Sequence, residues 1–246
     1  MTARAPFFHE RRKDMEIPLF EASNGNCPYL KGKEWLSYLT HADSLDEYIY
    51  EALINRGFRR SGHIFYQNQC KGCDSCVPIR IVSDHFVMSK SQKKVWNRNK
   101  DLRLVSSPAH FDEEAFQVYE KFTKGRYNSS ATSEEFLQFL VKTAVDTQMV
   151  KYYEGDKMIA VGWLDILNES VSSVYFAFDP EQSRRSLGTY SVLKEIEMCQ
   201  QLGKPFLHLG FWVQECGAMS YKSKFYPHQF LVDGEWSQPI MRQSLR

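Results

Sequence analysis

The chain has 246 residues, of which 43% are hydrophobic and 25% charged, and its formal net charge is +1. The 17 Phe, 13 Tyr and 5 Trp exclude a mainly disordered chain, and 13 Gly with 9 Pro exclude a collagen-like or low-complexity protein. No apolar run approaches the roughly 18–20 residues of a membrane helix, and the N-terminus lacks the apolar core of a secretory signal. We therefore expect a cytoplasmic protein without a membrane partner.

The first part of the chain, residues 1–105, combines turns, cysteines and basic residues, and we predict that it forms a separate domain. Apolar residues at helical spacing predict a helix over Ser44–Arg56, and Gly57 stands where a glycine commonly ends a helix. Serine and proline interrupt the pattern at Val105–Pro108, which is predicted to be a hinge. The strands predicted in this part are His63–Tyr66 and Val77–Val82.

Residues 106–246 alternate between helical and strand patterns, which predicts a domain of the α/β (α+β) class. The predicted helices are Asp112–Lys124, Ser133–Thr143 and Tyr190–Leu202, with a last helix or turn at Met219–Phe225. The predicted strands are Met149–Tyr153, Met158–Ile166 and Ser172–Phe178, which form an antiparallel run, and then Phe206–Phe211.

The six cysteines include a C-x2-C-x2-C run formed by Cys70, Cys73 and Cys76. In a reducing compartment such clustering indicates a metal site rather than disulfides, and Cys27 is the natural fourth ligand. Four thiolates suit tetrahedral zinc or an iron–sulfur cluster. We predict a site at these four cysteines that acts as a structural staple or as a redox cluster, and the alternative is chance clustering without a metal.

The segment between the strand Ser172–Phe178 and the following helix carries small and basic residues. Arg185, Gly188 and Tyr190 resemble the R-x-x-G-x-[GA] phosphate loop of GNAT-type acyltransferases, with tyrosine in place of the small last residue. Backbone N–H groups at such a junction can bind phosphate. We predict that the donor is bound by Arg185, Ser186, Gly188 and Thr189. The alternative is a capped helix preceded by a solvated charged loop.

A second charged segment, Ser89–Arg103, holds six basic residues and a single acidic one, Asp101. Basic side chains interleaved with Trp96 suit phosphate contacts and base stacking. The predicted nucleic-acid ligands are Lys90, Lys93, Lys94 and Arg98. The alternative is a solvated helix face.

Three groups of motifs follow one another over most of residues 25–235. The first is Arg56–Gly62 with Tyr66, and the second is Cys70–Arg80 with Phe86 and Ser89–Lys94. The third comprises Ser173–Pro180, Ser186–Ser191, Gly210–Val213 and Met219–Pro227. Together they resemble the arginyl-tRNA–protein transferases and their bacterial relatives, the aspartate/glutamate leucyltransferases. Cys27 with the downstream cysteine run is similar to the bacterial branch.

The resemblance implies a GNAT-like acyltransferase domain, residues 106–246, joined to the cysteine-rich N-terminal region. It implies transfer of Leu or Arg from aminoacyl-tRNA to the N-terminal α-amine of proteins that begin with Asp or Glu, which marks them for degradation in an N-degron pathway. No cofactor is required for this chemistry, because the donor ester is already activated. The partners that we expect are aminoacyl-tRNA and a protein or peptide with N-terminal Asp or Glu.

The acceptor amine has an ordinary pKa of about 7.7–8.0, so we predict direct attack on the ester without an acyl-enzyme. Asp179, just before the phosphate-type loop, is the candidate that orients or deprotonates the amine, and its alternative is a turn residue. Tyr190 and Lys222 complete the predicted catalytic set. Arg59 and Arg60, then Lys222, are predicted to bind the acceptor carboxylate, unless the two arginines pin the halves of the chain together.

Two other function classes fit the same sequence. One is a metal-stapled nucleic-acid-binding module without catalysis, and the other is an N-acetyltransferase that uses acetyl-CoA. The sequence leaves open whether the donor carries Leu or Arg, and whether the metal is zinc or iron–sulfur.

Overall fold

The computed structural model describes residues 8–10 and 15–242. In this part of the chain the strands fall into a two-stranded, a four-stranded and an eight-stranded sheet. The small sheet pairs β1 (Phe8–Glu10) with β2 (Met15–Ile17). The four-stranded sheet contains β3 (Phe20–Asn26), β4 (Glu34–His41), β5 (Arg59–Ser61) and β6 (Ile64–Asn68), in the order β3-β4-β6-β5.

The eight-stranded sheet is the centre of the fold. Its strands are β7 (Val77–Val82), β8 (Arg103–Pro108), β9 (Thr147–Glu154), β10 (Lys157–Ile166), β11 (Ser170–Phe178), β12 (Phe206–Trp212), β13 (His228–Val232) and β14 (Glu235–Trp236). They lie in the order β14-β13-β7-β12-β11-β10-β9-β8. The β11–β12 pair is parallel and the other pairs are antiparallel, so a helix must cross between β11 and β12.

Helices cover both faces of this sheet. The helices are α1 (Glu47–Asn55), α2 (Lys90–Arg98), α3 (Glu113–Tyr127), α4 (Ser133–Phe136), α5 (Leu187–Leu202) and α6 (Gly217–Ser220). Of these, α2 and α5 lie on one face of the large sheet and α3 and α4 on the other, whereas α1 packs with the four-stranded sheet. Short 3₁₀ turns are Ser83–His85, Pro180–Arg185 and Tyr221–Lys224, and Leu137–Val141 is a π-helical turn. No helix of the described residues is long and apolar enough to cross a membrane.

The core is divided between the two faces of the sheet. On β10, Ala160 and Leu164 pack in the cluster that contains the apolar side of α5, whereas Val161 and Trp163 pack in the cluster under α3 and α4. Successive side chains of a strand point to opposite faces, so a strand that is covered on both sides reads as one continuous apolar run. The mixed α/β class that the sequence predicts is confirmed.

Most predicted elements match, and the differences are local. Val77–Val82 is a strand as predicted, and the helix predicted over Ser133–Thr143 is α4 continued by a π-helical turn. The predicted hinge at Val105–Pro108 is wrong, because β8 pairs with β9 over its whole length. Pro108 is tolerated there because β8 is the edge strand of the large sheet.

The boundary predicted at residue 105 therefore lies inside β8 rather than between two folded units. Residues before it also belong to the large sheet: β7 lies between β13 and β12, and α2 packs against α5. The part that stands apart from this sheet is the four-stranded sheet with α1, which share a core cluster around Tyr50 and Phe65.

A buried ion pair joins the four-stranded sheet to the large one. Arg60 on β5 donates from Nε to Asp165 Oδ2 at 2.8 Å and from Nη2 to Asp165 Oδ1 at 2.6 Å, and both side chains are fully buried. Thr147 and Tyr50 also donate to this carboxylate, at 2.7 and 2.9 Å. Arg60 further donates to the carbonyl of Gly62 at 3.1 Å, so the charges are paired and hydrogen-bonded on both sides.

We predict that Arg60→Met lowers the free energy of unfolding by about 3–5 kcal/mol, because it leaves the Asp165 carboxylate buried without its partner. Urea denaturation measures the loss. Lys142→Met is the control, since Lys142 pairs with Glu134 in the open and such pairs contribute about 0–1 kcal/mol. Equal losses in the two variants would show that the buried pair is not a structural clamp.

Candidate active site

A cavity of about 620 Å³ opens between the four-stranded sheet and the large sheet. Its wall is formed by β5 and β6 on one side, and by β11, β12 and the beginning of α5 on the other. Aromatic side chains make up much of the remaining wall: Tyr29, Tyr66, Phe122, Tyr127, Phe139, Tyr175, Phe176, Phe178, Phe211 and Tyr221. A mostly apolar cleft with a few polar groups is the usual form of a ligand site.

Four cationic side chains line this cavity, namely Arg59, Arg60, Arg126 and Lys222, and two of them, Arg59 and Lys222, lie on different elements and each donate to a backbone carbonyl group. Arg59 on β5 is held by the carbonyl oxygen of Ser173 at 2.6 Å, and Lys222 donates to the carbonyl oxygen of Phe211 at 2.8 Å. Burial and the charge of Arg59 lower the pKa of Lys222 to about 7. An anion bound between the two would restore the charge on Lys222.

Gly210 on β12 makes room for Arg59. Its φ is +77°, and a Cβ built on it would lie 2.9 Å from the guanidinium carbon of Arg59. The glycine is therefore required both by its backbone conformation and by the close approach of the arginine. Gly210 is also part of the cavity wall, so the site depends on this contact.

The helix α5 begins at the cavity. Ser186, Gly188 and Thr189 line the wall, and Ser186 has a left-handed backbone, with φ +57°, and gives no side-chain cap. A Cβ on Gly188 would meet nothing within 4 Å, so the start of the helix faces open space. The first N–H groups and the helix dipole favour an anion at this position.

Arg185 does not line the cavity. Its guanidinium pairs with Asp101 at 2.9 Å and with Glu154, and Arg98 and Asn99 at the end of α2 donate to the carbonyl oxygens of Arg184 and Arg185. Arg185 therefore ties the loop to α2. The pairing also lowers the pKa of Asp101, mainly through the hydrogen bond from Arg185.

Two predicted catalytic residues also lie outside the cavity wall. Asp179 is 2% exposed, accepts from the backbone N of Glu181 at 3.1 Å and pairs with Lys157 at 3.2 Å, which is the geometry of its turn alternative. Tyr190 is buried against Trp96 and Tyr152, with ring centroids 5.7 and 6.1 Å away. Asp179 is thus held by polar contacts and Tyr190 by aromatic packing, and neither is among the described residues that line the cavity.

The basic residues of α2 lie on an exposed helix face. Lys90, Lys93, Lys94 and Arg98 are exposed, whereas Val95 and Trp96 pack on the core beneath α5. Trp96 is therefore a packing residue rather than a base-stacking one, in contrast to the expectation. The end of α2 contacts Arg184 and Arg185 in the loop that leads into α5, and the flanking Ser183 and Ser186 line the cavity.

The four predicted metal ligands share one end of the four-stranded sheet. Burial raises the pKa of Cys76 to about 11, and the thiols of Cys27, Cys70 and Cys73 add to the rise. Backbone N–H groups of Leu30 and Leu36 point at Cys27 Sγ and Cys70 Sγ, each at 3.4 Å. Among the described residues no three of these Sγ atoms lie within 4.8 Å of one another, so a metal would draw the thiols together.

Sequence reasoning missed the aromatic wall and the role of Gly210. Tyr29 follows Cys27 by two residues and lines the cavity, and Tyr66 packs edge-on against Phe211 at 6.3 Å between centroids. Isolated tyrosines carry no sequence signal for a site. Their position shows that the cysteine cluster and the cavity share one segment of chain.

Two family models match the chain. The model described as arginine-tRNA-protein transferase, N terminus, matches residues 25–94, and the one described as its C terminus matches residues 114–232. The aspartate/glutamate leucyltransferase of Thiobacillus denitrificans is 35% identical over 225 residues, which are 89% of this chain and 94% of that protein. The chain belongs to the arginine-tRNA–protein transferase family. The resemblance that the motifs indicate is thereby confirmed.

Other members of the family are similarly close. The aspartate/glutamate leucyltransferase of Methylobacillus flagellatus is 34% identical over 92% of both chains, and that of Chromobacterium violaceum is 33% identical over 85% of this chain and 89% of that one. The conserved length shows that this chain spans nearly the whole of its relatives.

Solved structures show a weaker likeness. L-PGS from Bacillus licheniformis is 16% identical, with a TM-score of 0.40 over 56% of this chain and 47% of that one. The C-terminal domain of a lysylphosphatidylglycerol synthetase from Agrobacterium fabrum is 10% identical, with a TM-score of 0.44 over 71% of this chain and 54% of that one. The GNAT-like form of the catalytic domain stays a prediction.

Proposed function

We propose that this protein transfers Leu or Arg from aminoacyl-tRNA to the N-terminal α-amine of proteins that begin with Asp or Glu. The observation that carries the proposal is the cavity, where Arg59 and Lys222 face the uncapped start of α5. The names of the relatives support this substrate pair, because they are aspartate/glutamate leucyltransferases. Transfer of this kind marks its products for degradation.

The acceptor side chain binds between the two cations. Arginine matches a carboxylate with two parallel N–H donors, and Arg59 is already oriented by the carbonyl of Ser173. The bound carboxylate raises the pKa of Lys222 from about 7, so the Lys222 side chain is protonated and positively charged in the complex. Arg60 forms the buried ion pair with Asp165, so it does not bind the acceptor carboxylate as predicted but holds β5 in place.

The donor reaches the site along α2. The exposed lysines of this helix attract the phosphates of tRNA, and the start of α5 receives the phosphate of the terminal nucleotide. The aromatic wall encloses the aminoacyl group. An uncharged amine then attacks the ester carbonyl directly, and positioning of the two reactants supplies about 7–11 kcal/mol of barrier lowering.

The test is transfer of labelled amino acid from charged tRNA to peptides that begin with Asp, Glu or Ala. We expect label on the Asp and Glu peptides with Leu-tRNA or with Arg-tRNA. The parallel assay with acetyl-CoA as donor should give no product. Label from acetyl-CoA would support the N-acetyltransferase alternative, and tRNA binding without any transfer would support a binding module.

We predict that Arg59→Gln reduces kcat/KM for the Asp peptide at least tenfold, about 1.4 kcal/mol, while the value for the Ala peptide changes little. The reason is that Arg59 lines the cavity and, in the proposed complex, only the Asp side chain offers its guanidinium a carboxylate. Steady-state rates at saturating charged tRNA measure the ratio. If Arg59→Gln lowers kcat/KM for the Asp and Ala peptides by the same factor, Arg59 does not recognise the acceptor side chain.

We predict that Lys93→Ala combined with Lys94→Ala weakens binding to all tRNAs about equally and reduces the salt slope by about two. Both side chains are exposed on α2. The matched control is Lys121→Ala with Lys124→Ala, two exposed lysines of α3 on the other face of the large sheet. If the salt dependence of tRNA binding changes by the same amount in the two double variants, the lysines of α2 are an ordinary solvated surface and not a tRNA-binding site.

The cysteine cluster holds a structural zinc ion or an iron–sulfur cluster that fixes the segment of Tyr29. The chemistry of the donor set fits, because the four cysteines share one end of the sheet and backbone N–H groups point at two of the sulfur atoms. The metal has no place in the transfer chemistry. Its role is to hold one wall of the cavity.

We predict that Cys73→Ser lowers both the bound metal and the thermal midpoint, since metal binding is coupled to folding. Metal analysis and thermal unfolding measure the two effects. Cys216→Ser is the control, because Cys216 is half-buried and lies outside the cluster. Unchanged metal content and midpoint in Cys73→Ser would contradict a metal site.

A further inference from the structure

A buried carboxyl group lies behind the cavity wall and has no part in the chemistry described so far. Glu195 on α5 is 2% exposed, and its Oε2 atom has no hydrogen-bond partner among the described residues. A buried polar atom without a partner costs about 1–3 kcal/mol, so its presence requires an explanation. The helix would be more stable with an apolar residue at this position.

The surroundings of Glu195 connect it to the cavity. Ser191 lies one turn before Glu195 on α5, and the hydroxyls of Ser191 and Ser173 lower the pKa of the Glu195 carboxyl group; both serines line the cavity wall. Arg59 faces the same carboxyl group from β5. The cavity wall therefore carries hydroxyl groups that act on Glu195.

The other titratable groups near Glu195 are uncharged at neutral pH. They are Tyr152 from β9, Tyr221 from the turn after α6 and Cys199 from the next turn of α5, and burial raises the pKa of each above its usual value. Among the described residues, Arg59 is the charged group that acts on Glu195, and its charge lowers the pKa of the carboxyl group. Burial outweighs this charge and raises the pKa of Glu195 to about 7.

We infer that Glu195 is the proton acceptor for the acceptor's α-amine, acting through the hydroxyl of Ser173; this inference rests on the proposed function. The α-ammonium group of the bound peptide gives a proton to Ser173 Oγ while the hydroxyl proton of Ser173 passes to Glu195. The amine keeps its electron pair and forms the C–N bond to the ester carbonyl carbon. The ester C–O bond then breaks, and the second amine proton leaves with the 3′ oxygen of the tRNA as a hydroxyl group.

The match between donor and acceptor of the proton favours this role. The α-amine has an ordinary pKa of about 7.7–8.0, close to that of Glu195, so the transfer is nearly balanced. A carboxyl group at its usual pKa would hold the proton too weakly. Burial without a fixed partner is the property that tunes Glu195 to this task.

The test compares Glu195→Gln with Glu197→Gln in single-turnover transfer to the Asp peptide. Glu197 lies on the same helix, but pairs with Lys194 at the surface. We expect Glu195→Gln to be about tenfold slower than wild type near pH 7, where only about a tenth of the amine is neutral, and within about threefold near pH 9, where the amine is mostly neutral. Glu197→Gln should follow wild type throughout.

A purely structural role of Glu195 gives a different result. A loss of the same size at every pH, or no loss, would overturn the inference. Absence of transfer in the wild-type protein would instead overturn the proposed function, so the two failures are distinguishable.

A second variant keeps the test valid if Glu195→Gln does not fold. Ser173→Ala preserves the carbonyl oxygen that holds Arg59 and removes only the hydroxyl. We expect the same pH-dependent loss, and a double variant no slower than either single one, because both act on one proton path. Independent, multiplying losses would contradict the relay.

Discussion

The ion pair of Arg60 with Asp165 is the interaction on which the site depends. It is the fully buried charge pair that joins β5 of the four-stranded sheet to β10 of the large sheet, and Thr147 and Tyr50 complete its hydrogen bonds. A pair of this kind contributes little net stability compared with apolar residues, but is costly to break. Its effect here is to fix where one sheet lies on the other.

That register decides the geometry of the cavity. Arg59 precedes Arg60 on β5, so the clamp on one side chain fixes the direction of the next. Gly210 on β12 leaves the space that the Arg59 guanidinium occupies, and Ser173 on β11 orients it. The two sheets therefore each supply half of the cavity wall that forms the proposed acceptor site, and a shift between them would separate the halves.

The sequence predicts elements better than it predicts partners. Val77–Val82 and α5 follow from apolar periodicity, which reports burial directly. The sequence does not show which of Arg59 and Arg60 forms the buried ion pair and which is left for the proposed acceptor site. The two arginines are identical neighbours on one strand, and only the fold gives them different surroundings. The prediction of a hinge at Val105–Pro108 was wrong for a related reason. Proline interrupts a strand inside a sheet but is tolerated in an edge strand, and the sequence does not show that this segment is an edge strand.

Burial shifts the pKa values of two groups at the cavity in opposite directions: it lowers that of Lys222 and raises that of Glu195. Burial favours the neutral form of both Lys222 and Glu195, and brings each to a pKa of about 7. In the proposed reaction, Lys222 gains its charge when a carboxylate binds beside it, and Glu195 loses its charge when it takes the proton of the amine. An acidic N-terminus brings both the carboxylate and the ammonium group. The same substrate therefore charges one group and neutralises the other, and a single apolar enclosure prepares recognition and proton transfer together.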